Sequence, residues 1–218
     1  MRSARVSIGS REEPKMVGGA VKGLWNIVLS GYPRAGKTML AQRLLAEKQC
    51  FARVGVDELR KMFFNENYPC HDEFVVYSMI AEMRDALLKF GYSVIIDSTA
   101  PFNVTRQFLL STRIKPVNPL LVVVSVNRPV LTKRTVEKFG DSATILAYDK
   151  RWEEPKGEFP VFKFRSSSAE EFDAYYARLT ELLESEIHPF KPEFHHTLLS
   201  ANDIRKTLKS FLSKRAQL

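Results

Sequence analysis

Gly31-Tyr32-Pro33-Arg34-Ala35-Gly36-Lys37-Thr38 reads G-x-x-x-x-G-K-T, and its flanks decide the fold. The apolar run 24–29 leads into it, and Met39-Leu40-Ala41-Gln42-Arg43-Leu44-Leu45 carries it on with helical composition. Strand, glycine-bearing loop and helix, in that order, are the setting in which this motif cradles phosphate. The glycines let consecutive backbone N–H groups turn inward, and the start of the new helix adds its positive pole. Lys37 then reaches the β- and γ-phosphates and Thr38 offers its hydroxyl to Mg2+, while Gly31, Tyr32, Pro33, Arg34, Ala35 and Gly36 line the phosphate chain. The expected ligand is a nucleoside triphosphate, ATP, with Mg2+.

Outward from the loop, strands and helices alternate. Residues 52–56 form a short strand candidate closed by Asp57, and 58–65 a short helix. Residues 71–90 place Val75, Val76, Met79, Ile80, Met83, Leu87 and Phe90 at helical spacing, with Gly91 as the stop. A buried strand over 93–96 runs into Asp97, and a helix over 104–114 follows Pro101. Residues 120–126, β-branched at their centre, suit a strand covered on both faces. A basic helical piece comes next, then a loop-rich stretch to about Gly157. Ser166–Ser168 with Glu170 and Glu171 start a helix whose Phe172, Tyr175, Tyr176, Leu179, Leu182 and Leu183 read as core. A last strand over 195–199 and a helix from Ser200 complete a parallel sheet with helices on both faces. Such a sheet binds ligands at the carboxyl ends of its strands.

The bulk numbers agree with one α/β domain. The 218 residues are 44% hydrophobic and 27% charged, which excludes a disordered chain, and no apolar run is long enough to span a membrane. A net charge of +8 points to polyanionic company, either nucleic acid or phosphorylated small molecules. Residues 1–23, with Arg2, Arg5, Arg11, Lys15 and Lys22, read as a basic leader. Cys50 and Cys70 belong to neither a redox pair nor a zinc spacing, as expected of reduced thiols in a cytoplasmic protein. The adjacent His195 and His196 would point to opposite faces of a strand and make a poor joint metal site.

Asp57 and Asp97 fall at strand ends, where a doubly wound sheet assembles its chemistry. Phosphorylation of an alcohol needs a carboxylate to orient the hydroxyl and take its proton, together with cations around the transferring group. Asp57 suits the first need, and is alternatively the cap of a short helix. Arg60, three residues on, shares its helical face and suits an anionic acceptor group. Asp97, after two isoleucines, suits support of Mg2+, with Ser98 and Thr99 positioned to touch an acceptor or to bond backbone. The residue after Asp97 is Ser98 rather than the water-activating Glu of hydrolytic motors, and no Asn-Lys-x-Asp guanine reader is present. Arg128, Lys133, Arg134 and Lys138 crowd into eleven residues, with Arg134 and Lys138 four apart. They read either as a solvated basic face or as the cations of a lid that closes over phosphates and excludes water.

Together, G-x-P-x-A-G-K-T, Val56-Asp57-x-x-Arg60 and Ile95-Ile96-Asp97-Ser98-Thr99 resemble a group of AAA-type P-loop kinases. This group is related to the polynucleotide 5′-hydroxyl kinases, zeta toxins and chloramphenicol phosphotransferases. The resemblance covers about 24–152 and implies an α/β fold, a three-layer α/β/α P-loop NTPase sandwich with a mainly parallel sheet and a helical lid. It implies a general base at Asp57, an acceptor-positioning arginine at Arg60, and phosphate contacts from Arg134, with Lys138 where a second arginine often stands. Arg34 departs from the group, which usually has Gly there, and Ala100 stands where polynucleotide kinases often have Asn.

The expectation is therefore a leader over 1–23 and one kinase domain over 24–218, with its lid at about 128–150. It would transfer the γ-phosphate of ATP to a hydroxyl, favouring an RNA or DNA 5′ end because of the net charge. A small-molecule or nucleotide-sugar kinase and a non-catalytic ATP-dependent binding module are the alternatives. Neither the acceptor nor the oligomeric state is legible in these residues.

Overall fold

β1 (Leu24–Ser30) is the middle of a five-stranded sheet in the order β2-β3-β1-β4-β5, every neighbour parallel. The other strands are β2 (Phe51–Gly55), β3 (Ser93–Asp97), β4 (Val117–Ser125) and β5 (Val161–Arg165). The helices are α1 (Lys37–Glu47), α2 (Val56–Phe64), α3 (Glu73–Lys89), α4 (Asn103–Leu110), α5 (Arg128–Phe139), α6 (Ala143–Asp149) and α7 (Ala169–Glu184). The structure is a computed structural model that describes residues 23–66 and 72–185.

A parallel sheet must be covered on both faces, and side chains of one strand alternate between them. Ile27 and Leu29 point to one face, where Leu40 and Leu44 of α1 and Phe172, Tyr176 and Leu179 of α7 close over them. Val28 points to the other, against Val76 and Ile80 of α3 and Leu109 of α4. β1, flanked by β3 and β4, brings its carboxyl end to the crevice between them, where the phosphate loop begins.

Several expectations are corrected. β2 stops at Gly55, so Asp57 lies in the first turn of α2 instead of at a strand end. Gly55 is the N-cap, without a side-chain cap bond, so Asp57 does not cap the helix; with Glu58 it complements the positive helix start. α4 ends at Leu110 rather than 114. Its last carbonyls are taken there by side chains: Asn26 donates to Leu109 and Leu110, and Arg84 to Leu109, at 2.8–3.0 Å. The stretch up to Gly157 holds α6, and β5 follows it unannounced by the sequence. The leader, His71, Cys70, the strand expected at 195–199 and the helix expected from Ser200 fall outside the described residues. Cys50 is an exposed free thiol. No helix among the described residues is long and apolar enough to cross a membrane.

Candidate active site

The loop from Gly31 to Thr38 passes over the carboxyl ends of β1 and β3. Gly31 has φ +146°, and a Cβ on it would lie 2.2 Å from the Val124 carbonyl oxygen. Gly36 has φ +99° and is pressed against the Ser166 hydroxyl, 2.7 Å from where its Cβ would be. Both positions need the smallest residue. Arg34 adopts φ +68° with its side chain exposed. The left-handed conformation explains why glycine suits this position, and the arginine adopts it under strain.

Lys37 is buried and donates to the carbonyls of Gly31 and Tyr32 at 2.9 and 2.7 Å. Its ammonium thus lies along the inside of the loop, where a phosphate oxygen would replace those carbonyls. Burial lowers its pKa to about 8, an effect that Asp97 and Asp57 partly offset. Both carboxylates therefore act electrostatically on the Lys37 ammonium. Thr38 is exposed at the start of α1.

Arg60 is buried, and its three donor positions are engaged. Nε and Nη2 donate to the two oxygens of Glu73 at 2.6 and 3.0 Å, and Nη1 donates to Asp57 at 2.6 Å. Burial acts against its charge, yet Glu73 and Asp57 outweigh it and raise its pKa above the ordinary arginine value. The arginine expected to position an acceptor is bonded to Asp57, whose side chain stays exposed. Glu73, at the first position of α3, escaped the sequence reading because it lies thirteen residues from Arg60.

Ser98 and Thr99 meet two tyrosines. Tyr77 of α3 is bonded to Ser98, and burial raises its pKa, helped by Glu73. Tyr148 of α6 is bonded to Thr99, and burial raises its pKa to about 12, with the Asp57 charge adding to the rise. Ser98 also accepts from the backbone N–H of Ala100 at 3.1 Å. Asp97 is buried and accepts two N–H bonds from Arg53 of β2. A charged residue inside the run Phe51-Ala52-Arg53-Val54 was the available signal, since such a residue needs a counter-ion.

α5 and α6 occupy the expected lid. Arg128 forms a two-pronged pair with Asp149, at 2.7 and 2.6 Å, and lines a small recess with Tyr32, Ala35, Val126 and Leu131. Arg134 donates to the Ser166 carbonyl at 3.0 Å, beside Gly36. Lys138 is exposed in the last turn of α5. Trp152, beyond the lid, lies 5.6 Å from the Tyr32 ring. The guanidinium of Arg106 lies over the Trp152 ring, 4.5 Å from its centre. Arg106 is completely buried. It donates to Ser30 and Ala100 at one end of the guanidinium and to the Glu153 carbonyl at the other.

Among the described residues no three His, Cys, Asp or Glu side chains gather into a metal cage. Magnesium held mainly by nucleotide phosphates needs only one or two protein oxygens, and Thr38 and Asp97 are the residues that fit.

Residues 27–158 match the family model described as an AAA domain. No curated protein matches the sequence. The fold is similar to a sugar kinase from Janibacter sp. HTCC2649, at 16% identity and TM-score 0.57, covering 76% of this chain and 99% of that one. It is similar to a gluconokinase from Sinorhizobium meliloti 1021, at 22% identity and TM-score 0.53, with 77% and 98% covered. A third likeness is the Mycobacterium tuberculosis APS kinase solved with AMPPNP and APS, at 18% identity and TM-score 0.56, with 75% and 98% covered. The architecture is that of an α/β P-loop NTPase.

Proposed function

The chain belongs to the AAA domain family, and from that premise we propose that it is an ATP-dependent phosphotransferase acting on a hydroxyl acceptor. The observation that supports this reading is the chain Glu73–Arg60–Asp57, which holds an exposed carboxylate whose charge is felt by the phosphate-loop Lys37. Asp57 orients the acceptor hydroxyl and takes its proton as the oxygen bonds to the γ-phosphorus and the bond to the β-phosphate oxygen breaks. Lys37, leaving the Gly31 and Tyr32 carbonyls for phosphate oxygens, stabilises the charge that spreads over them. Arg134 and Arg128, with Lys138 further along α5, add positive charge from the lid side. Bound Mg2+ neutralises charge on the phosphates; Thr38 and Asp97 would hold it. Arg60 positions the base.

Two acceptor classes are weighed. The net charge of +8 favours a polynucleotide 5′-hydroxyl. A compact acceptor, such as a sugar or nucleotide sugar, is favoured by the partly buried Tyr148, whose hydroxyl is bonded to Thr99 just beyond β3. Labelled phosphate transfer from ATP to a 5′-hydroxyl oligonucleotide, nucleosides and sugars separates them. Transfer to the oligonucleotide at low salt selects the first, and transfer to the small acceptors alone selects the second. An Asp57→Asn variant that turns over as fast as wild type removes both; a non-catalytic ATP-binding module has no turnover to lose.

A further inference from the structure

Arg53 stands two residues before the end of β2, in register with Ile95 and on the face of the sheet that carries Asp97. A partly buried guanidinium there requires acids within reach, and it has two. Nε and Nη2 both donate to Oδ2 of Asp97, at 3.0 and 2.6 Å, and Nη2 also donates to Glu58 at 2.6 Å. The Asp97 side chain is 6% exposed and that of Glu58 59%, so one seat is closed and the other open to solvent. Gly55, in register with Asp97, clears the space between them. A Cβ there would lie 3.1 Å from Arg53 Nη2 and 1.9 Å from the second Glu58 oxygen. The carboxylate beside Lys37 is thus neutralised from the neighbouring strand.

We propose that Arg53, shared between Asp97 and Glu58, is a positioning residue that shifts from Asp97 toward Glu58 when a nucleotide brings a divalent cation to the loop. The inference rests on the reading of Asp97 as the carboxylate facing the nucleotide's metal. Oδ2, which accepts both guanidinium N–H bonds, has little capacity left for a metal ion or its bound water, and the guanidinium charge disfavours a free dication at the other oxygen, Oδ1, as well. Because Nη2 already touches Glu58, the transfer needs only a tilt of the side chain. Free metal is therefore kept from the empty loop and enters with the nucleotide.

The test titrates Mn2+ into the nucleotide-free protein, following unbound Mn2+ by its paramagnetic resonance signal. Separately, ADP is titrated with and without Mg2+. Arg53→Met is expected to bind free Mn2+ at least about tenfold more tightly, the scale on which one adjacent cation alters a carboxylate's ion affinity. Arg53→Lys, which keeps the charge, stays near wild type. Glu58→Gln, at an exposed position, removes the second seat. It should leave Mg2+-free ADP binding unchanged and raise the Mg2+ concentration needed to tighten it. Equal Mn2+ affinity in wild type and Arg53→Met overturns the proposal, as does a Glu58→Gln variant with the wild-type Mg2+ requirement. A wild-type protein that binds no ADP removes the phosphotransferase reading instead, and the Mn2+ titration still decides on Arg53.

Discussion

Tyr32, inside the phosphate loop, donates its hydroxyl to Asp149 at the end of α6, 2.9 Å away across 117 residues of chain. Its ring also meets those of Tyr148 and Trp152, both at 5.6 Å. The phosphate loop is therefore in direct contact with α6 and the residues that follow it. Tyr32→Phe keeps the rings and deletes the bond. At this exposed position it should cost at most about 1 kcal/mol. The amides of Arg151 and Trp152, which donate to the Tyr148 carbonyl, should exchange with deuterium faster than those of β1 and β3. An unchanged exchange pattern would show that the hydroxyl does not hold the lid.

Lys37 makes nucleotide affinity pH-dependent. With its pKa lowered to about 8, the ammonium is half deprotonated near that pH, so ADP affinity should fall as pH rises through it. The ligand-free fold responds in the opposite direction. Between about 8 and 10.5 the unfolded chain keeps a proton that the folded chain has released, so this residue adds stability as pH rises through that window. Calorimetric affinities and melting temperatures across the range measure both slopes. A melting profile of Lys37→Met that still carries the rise would assign it to another group.

Glu73 and Asp57 flank the same guanidinium but differ in exposure. The Glu73 side chain is 10% exposed and that of Asp57 74%. Glu73→Ala strands a buried Arg60 charge and should cost about 3 kcal/mol. Asp57→Asn should stay within about 0.5 kcal/mol of wild type while abolishing turnover. Chemical denaturation of the two variants orders them, and a larger loss for Asp57→Asn would contradict the buried pairing.

Arg34 offers a gain. Its φ of +68° costs an L-residue about 1 kcal/mol, and its exposed side chain gives little packing in return. Arg34→Gly should therefore raise the melting temperature, after subtraction of glycine's greater freedom in the unfolded chain. Weaker ADP binding in the same variant would identify the arginine as a phosphate ligand. A lower melting temperature with intact binding would refute the strain.

The central strands and the loop were legible because β1, β3 and most of β4 are buried on both faces and read as continuous apolar runs. β5 was not. It is an edge strand with only Phe164 fully buried, and Lys163 and Arg165 dilute its pattern. α6 offers only seven residues, too few for a periodic signal. In the site, Asp57 and Arg60 were found because three-residue spacing is a local fact. Their anchor Glu73, the Arg53–Asp97 pair and the reach of Tyr148 to Thr99 depend on elements meeting in space, which spacing along the chain does not encode.

The ion pair between Arg128 and Asp149 joins the first residue of α5 to the last residue of α6. The excursion from the sheet therefore leaves and returns at one point, with its ends already tied. For a closed loop, added length costs little, about 0.6 kcal/mol per doubling. Residues 128–149 accordingly form an exchangeable cassette. A longer or shorter helical pair with the same terminal arginine and aspartate should be accepted there, provided that it keeps the interior contacts of Arg134 with Ser166 and of Tyr148 with Thr99. The length of this segment can then vary while the sheet stays fixed.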